Sequence, residues 1–266
     1  MQLENIRIAL RSLVRNRLYS MINMLGLSLG LTVVILIGLF LLDELTFDSF
    51  HEKADRIARV IEHKGMNTDR PQSFASGPLK LALEAEEQFP EVETAVFLNG
   101  YGRVLLVNNA KQSSFYEEML VAEEDFLKVF NFPLVKGNPA TALQEPGTIV
   151  LTNTLAQNLF GDEEPIDQIL ETDRGIDLRV TGVLEPIPGN SHLQFSTLVS
   201  AATIKQFSNW ERISTTDWNS NFWTTYLLLK PNVEPSALAS KITERVRNQR
   251  TPESPESNFE LQALSD

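Results

Sequence analysis

The sequence predicts an α+β fold, with one N-terminal transmembrane helix followed by a large extracytoplasmic domain that carries an insertion. Three observations point to it. Met21 to Leu42 is a run of 22 residues without a charge. The later elements run β-α-β, then many short strands, then β-α, the order of an α+β domain rather than of a repeating βαβ sheet. The 266 residues, 42% apolar and 22% charged, give room for one large domain or two small ones.

The same composition excludes several classes. A chain this apolar is neither disordered nor of low complexity. With no cysteine there is neither a disulfide scaffold nor a thiolate metal site. Three histidines (His51, His63 and His192) leave little for a histidine metal cluster. A formal charge of −12 argues against nucleic acid as a partner.

The uncharged run spans about 33 Å as a helix, against a hydrocarbon core of roughly 30 Å. A cleaved signal peptide would be shorter and end in small residues, whereas this run ends Leu41-Leu42-Asp43-Glu44. Arg7, Arg11, Arg15 and Arg17 against Glu4 give residues 1–20 a net +3, so the remainder carries −15. Basic residues stay in the cytoplasm, which puts residues 43–266 across the membrane, in the periplasm or outside the cell. Leu3, Ile6, Leu10, Leu13 and Val14 share a helical face over residues 1–18. Glu4, Arg7, Arg11 and Arg15 gather on another face and form the polar side of an amphipathic helix at the lipid headgroups. Gly26-x-x-x-Gly30 offers a face on which a second membrane helix can pack closely.

Beyond the span, Phe47, Phe50, Ala54 and Ile57 keep a helical spacing, so residues 43–54 read as a stalk that continues the helix or restarts with Asp48 as N-cap. Ile57 to His63 has β character. Ser76-Gly77-Pro78 opens a helix, with Ser as cap and Pro in the first turn, that stops before Pro90. Val92 to Leu98, Arg103 to Val107 and Phe115 to Val121 read as strands, and 125–130 as a short helix. Thr148 to Leu151 is a strand, followed by a helix capped by Thr152 and ended by Gly161. Leu178 to Val183 is a strand, and 185–192 is a Pro-Gly loop. Phe222 to Leu229 is the strongest strand in the chain. Pro235-Ser236 then opens an amphipathic helix, and the last 18 residues read as poorly ordered.

Several stretches in this order resemble the MacB/FtsX-type ABC transporter permeases, from about residue 5 to residue 264. They are Arg15-Asn16-Arg17 with Ile22 to Leu27; Asp43-Glu44-Leu45-Thr46-Phe47-Asp48; His51 to Ile57; Phe126 to Leu134 with Lys136-Gly137; Ile149 to Thr152; Leu159 to Asp162; Val180 to Val183; and Pro188-Gly189-Asn190-Ser191-His192. The resemblance implies a two-lobed ectodomain over 55–250, with a porter-like α/β lobe (55–125 and 200–250) and an inserted sabre-like lobe (126–199). It implies a permease that transmits the work of a separate cytoplasmic ABC ATPase, which binds the ATP, to substrates or proteins outside. It further implies a second permease copy in the complete protein and an extracytoplasmic adaptor or effector as partner, besides membrane lipid. Two features depart from the pattern. Asp167-Gln168 stands where such permeases typically show Gly-Lys, which puts the local turn in doubt. Relatives also continue past a tail such as 251–266 into a second span, so a fragment or shortened gene is expected.

No Gly-Lys pair exists to form a phosphate-binding loop, so no cofactor is expected on this chain. Ser191-His192 are adjacent, and their expected role is to satisfy backbone groups in the turn rather than to act as nucleophile and base. No catalytic or metal residue is assigned: His51 is expected on the stalk surface and His63 at a strand edge. Glu84-Glu86-Glu87 and Asp162-Glu163-Glu164 are expected to face water rather than hold calcium. Trp210, Trp218 and Trp223 are expected to pack in the core rather than form a carbohydrate platform. The competing functional classes are a single-pass receptor or sensor with a ligand-binding ectodomain, and an anchored enzyme.

Overall fold

The computed structural model describes residues 15–65, 70–206, 210–251, 254 and 256–264. It divides into two units, residues 1–47 and 48–266.

In the first unit, helix α1 (Arg17–Leu45) contains a stretch, Arg17–Leu42, of mean hydropathy 2.7 with no side chain buried. Its 26 residues are long and apolar enough to cross a membrane. The stalk expectation needs correction, because the helix stops at Leu45. Thr46 Oγ1 donates back to the Leu42 carbonyl, and the Phe47 N–H turns to the Glu44 carbonyl. The second unit opens with Asp48 in the left-handed region (φ 52°), so it neither continues a helix nor caps one.

The second unit is built on one mixed sheet of strands β1 (Ile57–Lys64), β2 (Gln72–Phe74), β3 (Val92–Asn108), β4 (Ser113–Ala122), β5 (Leu134–Gly137), β6 (Thr148–Thr152), β7 (Ile169–Thr172), β8 (Leu178–Leu184), β9 (Thr197–Ser200), β10 (Thr224–Leu229) and β11 (Ser257–Ala263). The order is β11-β1-β10-β3-β4-β9-β6-β8-β5, with β2 on β1 and β7 bridging β3 and β8. Among the described residues, only β4–β9 and β6–β8 run parallel. The helices are α2 (Leu79–Gln88), α3 (Phe126–Val129), α4 (Asn153–Phe160), α5 (Ala201–Lys205), α6 (Trp210–Thr216) and α7 (Pro235–Gln249).

The core lies in several clusters along this sheet. Leu81 and Ala85 of α2 and Leu238, Ile242 and Val246 of α7 bury the β1–β10–β11 end. Leu155, Leu159 and Phe160 of α4 cover β6 and β8 at the other end. Between them sits an aromatic cluster around Phe126, Phe130 and Phe132. Each such side chain contributes about 1.5–3 kcal/mol through burial. The tryptophans also pack inward: Trp218 is buried under α7, and Trp223 meets both Phe97 and Trp210 edge-on.

Other expectations also change. The two strands expected over 92–107 are one, because the bulge at Gly100–Gly102 bends β3 without ending it. Pro78 rather than Ser76 precedes α2; Ser76 Oγ donates to the Asn221 carbonyl, and Gly77 bridges to Trp223. The tail is ordered where β11 pairs with β1 over seven residues and buries Ser257, Phe259 and Leu261. At the doubtful turn, Asp167 takes the left-handed φ of 64° that glycine favours and pairs with Arg179 at 3.1 Å.

Candidate functional site

The first residues of the second unit, 48–53, are pinned to two distant segments, 126–132 and 188–193. Asp48 is 1% exposed. Its Oδ1 accepts from Ser191 Oγ (3.0 Å) and the His192 N–H (3.1 Å), and its Oδ2 from His192 Nδ1 (2.6 Å). Its own N–H donates to the Asn190 carbonyl at 2.9 Å. The left-handed backbone turns this N–H and the side chain toward the same loop, and Asp is among the few residues that accept that conformation. On its other side, His192 Nε2 lies 2.7 Å from Tyr226 Oη in β10. With Nδ1 donating to Asp48, a neutral ring accepts the Tyr226 hydroxyl at Nε2.

Burial holds the His192 imidazole below its ordinary range against the pull of Asp48, and Arg59 lowers it further. Burial also raises the Tyr226 phenol to about 12.

His51 is not on a stalk surface; it is 2% exposed. Its ring centroid lies 4.1 Å from Phe50, 4.9 Å from Phe132 and 5.2 Å from Phe130. Among the described residues, neither ring nitrogen makes a hydrogen bond. Burial lowers its pKa to about 4; Asp48 and Asn131 oppose the shift and His192 adds to it. Two polar bonds complete the attachment: the Glu52 N–H donates to Asn131 Oδ1 at 2.9 Å, and Lys53 Nζ to the Lys128 carbonyl at 3.3 Å.

The result is a latch, a polar attachment of residues 48–53 to the rest of the second unit that is buried at Asp48. Ser191 donates to Asp48 instead of facing the imidazole, so Ser191 and His192 are not arranged as nucleophile and base. Their role also exceeds the expected turn-filling, since both side chains reach Asp48, 143 and 144 residues away in the chain. Among the described residues no three His, Asp or Glu side chains gather as a metal site.

The other residues that the sequence singles out lie away from the latch. Gly26 and Gly30 sit one turn apart on α1, where an added Cβ meets nothing within 4 Å. Arg15 and Arg17 are exposed at the start of α1. Arg7, Arg11 and most of the amphipathic helix expected over 1–18 lie outside the described residues. His63, in β1, meets Ser73 and Glu260. Glu86, Glu87, Asp162, Glu163 and Glu164 are exposed as expected, with Glu163 and Glu164 in surface pairs with Lys111 and Lys136; Glu84 is half-buried and pairs with Lys80 and Arg245. The helical periodicity of 47–57 conceals Asp48, and nothing local singles out Tyr226. The one available signal is that Asp48 and Ser191-His192 both fall in stretches that carry the family resemblance.

A family model described as the MacB-like periplasmic core domain matches residues 20–245. No curated protein matches. Among solved structures, a domain of a candidate permease from Porphyromonas gingivalis is similar with TM-score 0.66 and 23% identity, over 80% of this chain and 91% of that one. The periplasmic region of MacB from Actinobacillus actinomycetemcomitans gives 0.53 and 14%, over 77% and 88%. The extracellular domain of the noncanonic ABC-type transporter YknZ from Gram-positive bacteria gives 0.53 and 12%, over 77% and 99%.

Proposed function

The chain belongs to the MacB-like periplasmic core domain family, and on that premise we propose that it is a permease subunit of a MacB-type ABC transporter, passing ATPase-driven motion to its extracytoplasmic domain. The Asp48 latch carries this reading. Asp48 lies three residues beyond the end of α1, so displacement of the helix reaches the domain along the chain through this residue. The latch engages the 188–193 loop, and its neighbours His51 and Glu52 engage 126–132. Those contacts fall near both ends of the segment 126–199, which we take as the inserted lobe. Pulling on Asp48 therefore bears on the root of that lobe.

In this scheme ATP is bound by a cytoplasmic partner subunit, the N-terminus is cytoplasmic, and Gly26 and Gly30 face another span of a second permease copy. The charge asymmetry, +3 in residues 1–20 against −15 beyond, supports the orientation. Because the chain has no cysteine, a single cysteine at exposed Thr251 gives a clean topology test. The expected result is labelling of intact spheroplasts by a membrane-impermeant maleimide; labelling only after lysis refutes the orientation. Co-purification with an ABC ATPase, using a version that includes the following span and loop, tests the coupling role. Failure to bind any such ATPase refutes it.

A further inference from the structure

The two ends of the sheet differ. At one end β5 has four residues, a bulge between Leu134 and Lys136, and Lys136 itself, features that discourage further pairing. At the other end β11 offers seven residues in unbroken register with β1. The Leu264 N–H donates to the Ile57 carbonyl, toward β1, whereas the Phe259 N–H turns the other way, to Thr243 Oγ1 of α7 at 2.9 Å. Strand alternation then directs the N–H and C=O groups of Leu261 and Ala263 outward as well. Among the described residues these outward groups have no hydrogen-bond partner. Beside them lies an open groove of about 620 Å³ between β11 and the N-terminal half of α7. Ala239, Phe259 and Leu261 give it an apolar floor, Ser240 and Thr243 line one wall, and Glu234 supplies its charge. Glu260 lies on the opposite face of β11, exposed and 2.8 Å from His63, where alternate residues of an added strand would meet it.

We propose that this edge receives an extended, basic segment of an extracytoplasmic partner protein, which adds to the sheet as a further strand beside β11. The open backbone groups supply the pairing, the apolar floor takes alternate side chains, and the two glutamates favour lysine or arginine on the incoming strand. A second copy of this chain is a poorer occupant, because residues 43–266 carry −15 and both edges would bring Glu234 and Glu260. The inference goes beyond the coupling role and stands on this edge alone, whichever way the ATPase question is settled.

The test uses the full chain in detergent micelles and a labelled, capped peptide of alternating lysine and valine. The expected result is saturable binding with at least roughly tenfold slower hydrogen exchange at the Leu261 and Ala263 amides. An alternating glutamate and valine peptide should not bind. A lysine and valine peptide N-methylated at alternate residues keeps the charge but cannot pair, and should lose the exchange protection. Ala263→Pro removes an outward N–H without removing a bond to β1, and should weaken binding by roughly tenfold at an unchanged melting midpoint. If that variant unfolds, the N-methylated peptide decides, since the protein is then unaltered. Equal binding of the N-methylated peptide, or binding without protection at these two amides, overturns the proposal. Protection that appears without peptide and grows with protein concentration also overturns it, in favour of a second copy.

Discussion

Replacing Asp48 by alanine strands three donors at once: the Ser191 hydroxyl, the His192 amide and His192 Nδ1. At 1% exposure, water has little access to substitute. A buried donor left without a partner costs roughly 1–3 kcal/mol, although the hydroxyl can rotate and the imidazole can change tautomer to recover part of it. The backbone amide has no such recourse. Alanine at a φ of 52° adds strain that aspartate largely avoids, of order 1 kcal/mol. The sum is a loss of about 4 kcal/mol, a large part of the roughly 5–15 kcal/mol that holds a domain folded. Asp48→Asn keeps an acceptor oxygen and tolerates the left-handed backbone, so it should cost only about 1 kcal/mol, for the lost charge assistance. All three tryptophans of the chain, Trp210, Trp218 and Trp223, lie in the same unit as the latch and report its unfolding by fluorescence in urea. An alanine variant within about 1 kcal/mol of the parent, or an asparagine variant as unstable as alanine, refutes the latch as an energetic element.

The two buried histidines set a pH window. Both imidazoles are held below 6.5 in the fold, His51 to about 4, so as pH falls the unfolded chain takes up protons first. Their contribution is complete above about 6.5 and is lost as pH falls from 6.5 toward 4, and it is worth about 3 kcal/mol for His51. His51→Phe should flatten that slope in urea titrations and stabilise the domain by about 1 kcal/mol at neutral pH, by removing two unpaired nitrogens; an unchanged slope contradicts this. Gly137→Ala should cost about 3 kcal/mol by the same assay, because the residue sits at φ 96° and a Cβ there collides with the Thr181 carbonyl. A neutral result contradicts the close approach of β5 to β8. Gly26→Ile with Gly30→Ile should reduce self-association of α1 in a membrane reporter assay by roughly tenfold without moving the urea midpoint. Undiminished association removes that face from the interface.

The elements are legible where one periodicity dominates over enough residues. The uncharged run 21–42, the β-branched and aromatic run ending at Leu229, and the amphipathic helix from Pro235 all form as expected. The structure departs from expectation where tertiary contacts override local pattern. Helical spacing over 47–57 is real, but Phe50 and His51 use it to enter an aromatic cluster supplied by Phe130 and Phe132. Pro252, Pro255 and nearby glutamates mask the alternation of Ser257, Phe259 and Leu261, whose meaning depends on β1 lying alongside. The latch is least visible, because Asp48, His192 and Tyr226 meet only after the sheet forms, and local pattern says nothing about partners 144 and 34 residues distant. Asp167 shows the converse: a residue that breaks a glycine pattern can keep the turn when its side chain finds Arg179.

The His192 amide, which donates to Asp48, reports directly on whether membrane-helix motion reaches the domain. Its hydrogen exchange can be compared between nucleotide-free and vanadate-trapped states of the chain reconstituted with the proposed partner ATPase. Transmission through Asp48 predicts a change of at least roughly tenfold at this amide, abolished by Asp48→Ala. Identical exchange in the two states, with ATP still hydrolysed, contradicts it.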